Sequence, residues 1–454
     1  MTHSVRTRRR ARYGALAALG ALAVSAAVAA PAPTEARYTD TATAAAETYT
    51  MPASYQAVSS QFTSTSAALS DGWVWVWGFK GQGMGGNGVQ NDDDRSPQPV
   101  HGLNNVVKVV GASDISETPG TFGALTADGE VYTWGLNKLG RLGIGTTSGN
   151  NDFRATPQKV EFPDDEKVID LGSMRATMAA LTESGKVYTW GSGQYGQAGN
   201  GSTVENRGPH SPYLVIDNVH SMHVGQRLTW VITRENRVFW WGRAVSGEAG
   251  NGTTATVNNP NPLELPQLNA LVEGCEGPAV PVHSPEDTCS VVEITSSRQA
   301  GAALTRDGVV HTFGQTANGQ IGRIATAQTR VQVHPINIDE PVARLSAGNY
   351  HFTALTKSGG VWGWGSNASW AATGNIRPDG STGQGTTNAT TPVRLPLTDI
   401  VMIGGSRDTS YATRSDSVLI GWGDGRQGAI PGNETNRRTF TPLALPGIRV
   451  EVTE

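Results

Sequence analysis

Arg175, Arg298 and Arg407 each stand fifteen residues before an aromatic-glycine pair, and Arg227 stands fourteen before one. If the segments around them repeat as structure, the four side chains share one face. A partial ring of guanidiniums in a chain of formal net charge −4 suits one chemistry best, the capture of carboxylates. Arginine's planar fork matches a carboxylate with two parallel hydrogen bonds and anchors many protein interfaces. Trp370 is placed on the same face as an aromatic anchor. The competing reading is solvated rim charge, or arginines bonded to loop carbonyls.

Other chemistry-bearing patterns are weaker. Gly81–Gly86 and Gly191–Gly196 both match Gly-x-Gly-x-x-Gly, but neither opens a helix, and a dinucleotide needs that helix N-terminus. No cofactor is expected. Asp92, Asp93 and Asp94 lack the remaining ligands of a calcium loop and read as a solvated surface run. The only cysteines are Cys275 and Cys289. In an exported chain such a pair forms a disulfide. A metal pair is the weaker reading, because no histidine or cysteine spacing completes a site. The sequence holds no Gly-x-Ser-x-Gly, no His-Glu-x-x-His and no phosphate loop. Its histidines fall in different segments, and His351 reads as structural. No catalytic set is expected.

The elements that must position these residues are repeats. An aromatic-glycine pair recurs at Trp77, Trp134, Trp190, Trp241, Phe313, Trp364 and Trp422, in steps of 57, 56, 51, 72, 51 and 58 residues. A period of about 50 residues without a helical pattern fits one four-stranded propeller blade. Each unit carries a β-branched run, a second strand ending near Ala-Leu-Thr, and an Asp-Gly or Ser-Gly turn. A Val-Tyr-x-Trp strand, a glycine-rich corner and a weaker fourth strand follow. Asp-Gly accepts the positive φ that a two-residue hairpin demands. The seven aromatics are assigned to the core. Trp73, Trp230, Trp240 and Trp362 lie off the pattern, and the sequence leaves them between core and surface.

With strands alternating in direction, the four arginines, Trp370 and the aspartate run fall on one face. The 72-residue step inserts Asn269–Cys289 on the opposite face. A second insertion, Ser369–Gly380, interrupts the sixth unit.

Asp128–Gly145 and Gly185–Gly201 resemble the regulator of chromosome condensation repeat family. Its pattern runs Asp-Gly-x-Val-Tyr-x-Trp-Gly-x-Asn-x-x-Gly-Gln-Leu-Gly-x-Gly, and it frays at Trp364 and Trp422. The resemblance covers roughly residues 55–454 and implies an all-β, seven-bladed propeller. The family founder is a guanine-nucleotide exchange factor for a nuclear GTPase, an activity set aside here because an export signal separates this chain from cytosolic GTPases. Exported propellers that inhibit β-lactamase offer a further analogy, on fold alone.

Arg6, Arg8, Arg9, Arg10 and Arg12 precede a small apolar run, Gly14–Ala30, and cleavage is expected after Ala29 or Ala36. Residues 1–36 read as a secretory signal peptide, 37–54 as a disordered lead-in and 55–454 as the propeller. Removal of the signal takes away five arginines against one acid, Glu35, so the mature chain becomes more acidic. That composition argues against nucleic acid as a partner. The chain is expected to be secreted, without a membrane span once processed, and monomeric. Its expected role is a non-enzymatic scaffold that binds an unidentified protein through rim loops. A cell-wall glycan-binding or hydrolytic module is the alternative. Ile448–Val452 is expected to pair into the Trp77 unit and close the ring, in competition with Gln56–Ser59.

Overall fold

The computed structural model describes residues 55–443 except 61–63, 70–71, 91–93, 113–119, 147–151, 205–207, 378, 383–386, 417, 426–429 and 431–437. The expected signal peptide and lead-in, Asp92, Asp93 and Ile448–Val452 lie outside the described residues. The described strands form seven four-stranded antiparallel sheets, and in each the spatial order follows chain order. The innermost strands are Tyr55–Ser60, Val106–Ala112, Val168–Met174, Val219–Val224, Val291–Ser296, Val342–Ala347 and Ile400–Ser406. Each lies against the next, and Ile400–Ser406 lies against Tyr55–Ser60. The architecture is an all-β propeller.

Of the two segments expected to compete for the inner place of the Trp77 sheet, Gln56–Ser59 occupies it, while Ile448–Val452 lies outside the described residues. Tyr55–Ser60 pairs with Ser64–Leu69 and completes the first sheet with four strands. Its polar residues mattered less than its place in chain order, since a neighbouring strand costs the least loop entropy to pair.

Two contacts fasten sheet to sheet. The first comes from the hairpin turns. Gly129 and Gly185 take φ values of +82° and +89°, open to glycine without strain. Their carbonyls then accept the N–H of Val168 at 3.1 Å and Val219 at 3.0 Å, the first residues of the next inner strands. Gly72, Gly308 and Gly359 do the same for Val106, Val342 and Ile400.

The second contact comes from the repeat tryptophans, all fully buried. The indole Nε1 donates to a carbonyl seven residues past the preceding repeat's aromatic. Trp134 reaches Met84 at 3.0 Å, Trp190 reaches Arg141 at 3.1 Å, and Trp241 reaches Gln197 at 3.0 Å. Trp364 and Trp422 reach Gln320 and Ala371, each at 3.0 Å. The corner is rich in glycine because that ring enters it. A Cβ on Gly143 would lie 2.7 Å from both Cδ1 and Nε1 of Trp190. Within the sheet, Thr133, Thr189 and Thr312 tie the same corners down by donating to Leu142, Ala198 and Ile321 carbonyls at 2.5–2.6 Å.

The joint between the fourth and fifth sheets departs from both rules. Phe313 has no N–H to give, and Trp230 of the fourth sheet donates to the Ala249 carbonyl at 3.3 Å instead. The fourth sheet's turn carries Asn236 at φ 58°, and its side-chain oxygen accepts the Cys275 N–H at 2.9 Å. The off-pattern Trp230 and Trp240 are thus core, Trp362 is half-buried, and Trp73 is 47% exposed.

Two substitutions test this reading by urea unfolding. Trp190→Phe keeps the apolar ring but leaves the buried Arg141 carbonyl unpaired, at an expected cost of about 1–3 kcal/mol. Gly143→Ala meets both the positive φ and the indole, and is expected to cost on the order of 2 kcal/mol or more.

Candidate functional site

The first-to-second strand connections of neighbouring sheets are linked by backbone bonds. Gln226 N–H reaches Ser296 O at 3.3 Å, Arg298 N–H reaches Asn349 O at 2.9 Å, and Asn349 N–H reaches Arg407 O at 2.7 Å. This chain of bonds holds the turns of the last four sheets on one face, and three of them carry an arginine, Arg227, Arg298 or Arg407. Arg175 and Arg407 sit in their turns with φ of 42° and 26°. That is left-handed backbone, which costs a non-glycine residue about 1 kcal/mol or more.

Arg227 is only 6% exposed. Its guanidinium is held down to about 10, first by burial and then by Arg298 and Arg175, with Arg243 adding to the repulsion. Buried Nε atoms of Arg227, Arg243 and Arg298 meet no acceptor. Two tyrosines support the cluster. Arg243 and Arg175 lie over the Tyr195 ring at 4.2 and 5.2 Å, and Arg298 lies over Tyr350 at 5.4 Å. Cation–π contacts of this kind fix a guanidinium without neutralising it. The carboxylate facing Arg227 is Glu248, already accepting the Val245 and Ser246 N–H groups at 2.8 and 2.7 Å.

The structure therefore brings Arg175, Arg227 and Arg298 together. Arg407 shares the backbone chain of Arg227 and Arg298, but its Nε is paired with Asp408 at 3.2 Å. Arg243 was missed because it follows the Trp241-Gly242 pair, so the fifteen-residue offset could not find it. Its signal was an arginine at the close of a repeat strand. Trp370 is half-buried, with φ 65° and its indole N–H inside the protein without an acceptor. Its carbonyl accepts the Gly374 N–H at 2.8 Å, so the start of the insertion turns back on itself.

A second polar cluster lines the inner strands, around a cavity of about 230 Å³. Lys108 pairs with Asp170 at 2.5 Å, and His283 pairs with Glu293 at 2.8 Å. Glu293 also accepts the Leu345 N–H at 2.9 Å. His283 comes from the inserted loop, which Cys275 and Cys289 close as a disulfide with 4.4 Å between Cα atoms. Close by, His220 and Asp287 form a buried pair at 2.9 Å. With Cys289 they satisfy the spacing of a metal site, but the Cys289 sulfur is spent in the disulfide and cannot ligate. Histidines that the sequence scattered among segments thus meet at the inner strands.

Residues 128–173 and 184–232 match a family model described as the regulator of chromosome condensation (RCC1) repeat, and residues 342–369 match a second model so described. The chain carries RCC1 repeats. Human E3 ubiquitin-protein ligase HERC2 is 29% identical over 248 residues, 54% of this chain and 5% of the relative. The ultraviolet-B receptor UVR8 of Arabidopsis thaliana is 30% identical over 53% of this chain and 50% of the relative. The chain thus spans half or less of these RCC1-type relatives. Among solved structures, yeast RCC1 (Prp20) bound to Kap60 superposes with a TM-score of 0.62, at 19% identity over 83% of this chain and 84% of that one. Human WBSCR16 does so at 0.63, with 18% identity over 83% and 95%. At such identities the likeness concerns the fold.

Two expectations follow from the buried groups. His351 donates through Nε2 to Ser410, at 2.9 Å, and Ser410 donates to the Ala371 carbonyl. Burial pushes both His351 and His223 down from 6.5 to about 4. The folded protein holds them neutral, so their contribution is complete above pH 6.5 and is lost as the pH falls from there towards 4. Together they should cost several kcal/mol at pH 4, since each tenfold loss of proton affinity on folding is worth about 1.4 kcal/mol. Tm against pH should flatten in His351→Gln. Replacing both cysteines by serine opens a 14-residue span and should lower stability by about 2–4 kcal/mol in urea unfolding.

Proposed function

We propose that this RCC1-repeat propeller is an exported, non-enzymatic scaffold that binds a protein partner through its arginine face. We read its seven sheets as a closed ring of seven blades, a rigid frame for loops. The observation that carries the reading is Arg227, a guanidinium buried among others of its own charge. Such a group weakens the free protein and favours an anionic partner. The solved structure of yeast RCC1 (Prp20) with Kap60 bound to it supports a protein-binding role. The N-terminal pattern of basic head and apolar run supports export, as does a cross-link of the kind formed in oxidising compartments.

The test is affinity capture from culture supernatant and cell-envelope extract, with protein beginning at Arg37 as bait beside an Arg243→Glu/Arg298→Glu form. A protein retained by the native bait and lost from the variant is the expected result. Equal retention by both baits would remove the arginine face from the reading. Retention of glycan alone would favour a cell-wall module.

A further inference from the structure

We propose that Arg175, Arg227, Arg243 and Arg298 form one anion site that takes a short acidic segment of the partner, with two or more neighbouring Asp or Glu side chains. The inference rests on the interaction reading above and names the chemistry of what is bound. Arg227 lies among the guanidiniums of Arg298, Arg175 and Arg243, and the carboxylate that faces it, Glu248, already holds backbone N–H groups on both oxygens. Burial also pushes Glu248 upward. The excess calls for more than one carboxylate. The Nε atoms of Arg227, Arg243 and Arg298 find no acceptor within the protein, and the half-buried side chains of Arg243 and Arg298 give an anion access to the cluster. Tyr195 and Tyr350 hold three of the four guanidiniums in place beforehand, so little side-chain entropy is lost on binding.

The size of the anion is limited by the rest of the chain. The protein is net acidic, and beyond about 8 Å at physiological salt a charge no longer feels this cluster. A long polyanion such as nucleic acid would leave the cluster and meet net negative surface. A short acidic peptide would not.

The probe is a fluorescein-labelled hexapeptide of alternating Asp and Glu, read by anisotropy at low ionic strength, beside a labelled ten-nucleotide oligothymidylate. Native protein should bind the peptide more tightly than the oligonucleotide. Arg227→Gln and Arg243→Gln should each weaken the peptide about tenfold or more, while Arg377→Gln, on an exposed turn, should not. Peptide should raise the Tm of native protein and not that of Arg227→Gln. Without peptide, Arg227→Gln should melt no lower than native, because a repelled charge has gone. A purely structural arginine would show the opposite.

Equal peptide affinity in the native, Arg227→Gln and Arg243→Gln proteins would overturn the proposal, and so would tighter binding of the oligonucleotide. Arginine-dependent capture of an envelope protein without any peptide binding would overturn the acidic segment and leave the scaffold reading standing.

Discussion

The indole N–H groups of Trp134, Trp190, Trp241, Trp364 and Trp422 each reach into the corner of the sheet before, and the arrangement of the sheets depends on that reach. The bond satisfies a carbonyl that the tight corner would otherwise bury unpaired, a cost comparable to a lost hydrogen bond. It also explains the glycines. A corner that admits an indole has no room for a Cβ, and several of its residues must take positive φ. Aromatic and glycine therefore form one device, split across two repeats.

Much of the fold was legible in the sequence because that device repeats. Trp77, Trp134, Trp190, Trp241, Phe313, Trp364 and Trp422 are all buried as their spacing implied. The hairpin turns fell where Asp-Gly and Ser-Gly stood. The inner strand of the first sheet was harder to read, since Tyr55–Ser60 is polar and only chain order marks it. The site was legible by half. Arg175, Arg227 and Arg298 could be grouped from their offset, but Arg243 lies on the far side of a repeat aromatic, and only a folded sheet brings it to Tyr195. The burial of Trp370 was not legible, because a lone tryptophan in an insertion looks the same whether its loop stands out or folds back.

The two polar clusters of the molecule make a useful contrast. Around the inner strands, Lys108 has Asp170 and His283 has Glu293, so charge is answered locally and the cluster serves packing. On the arginine face, rings of tyrosine hold guanidiniums in position while leaving their charge in place. One arrangement completes itself. The other is stable only to the extent that the propeller frame holds it together.

The unusual joint between the fourth and fifth sheets bears on how a ring of similar parts is assembled. Sheets built to one pattern present nearly equivalent edges, so a growing ring has few means of telling a true neighbour from a lookalike. Phe313 has no N–H to place in a corner, and Asn236 reaches for the disulfide-bearing loop rather than for a strand. That pair of edges fits only its own counterpart. It gives an otherwise repetitive circle a fixed phase, and discriminates against closure with the wrong sheet or with a sheet of another molecule.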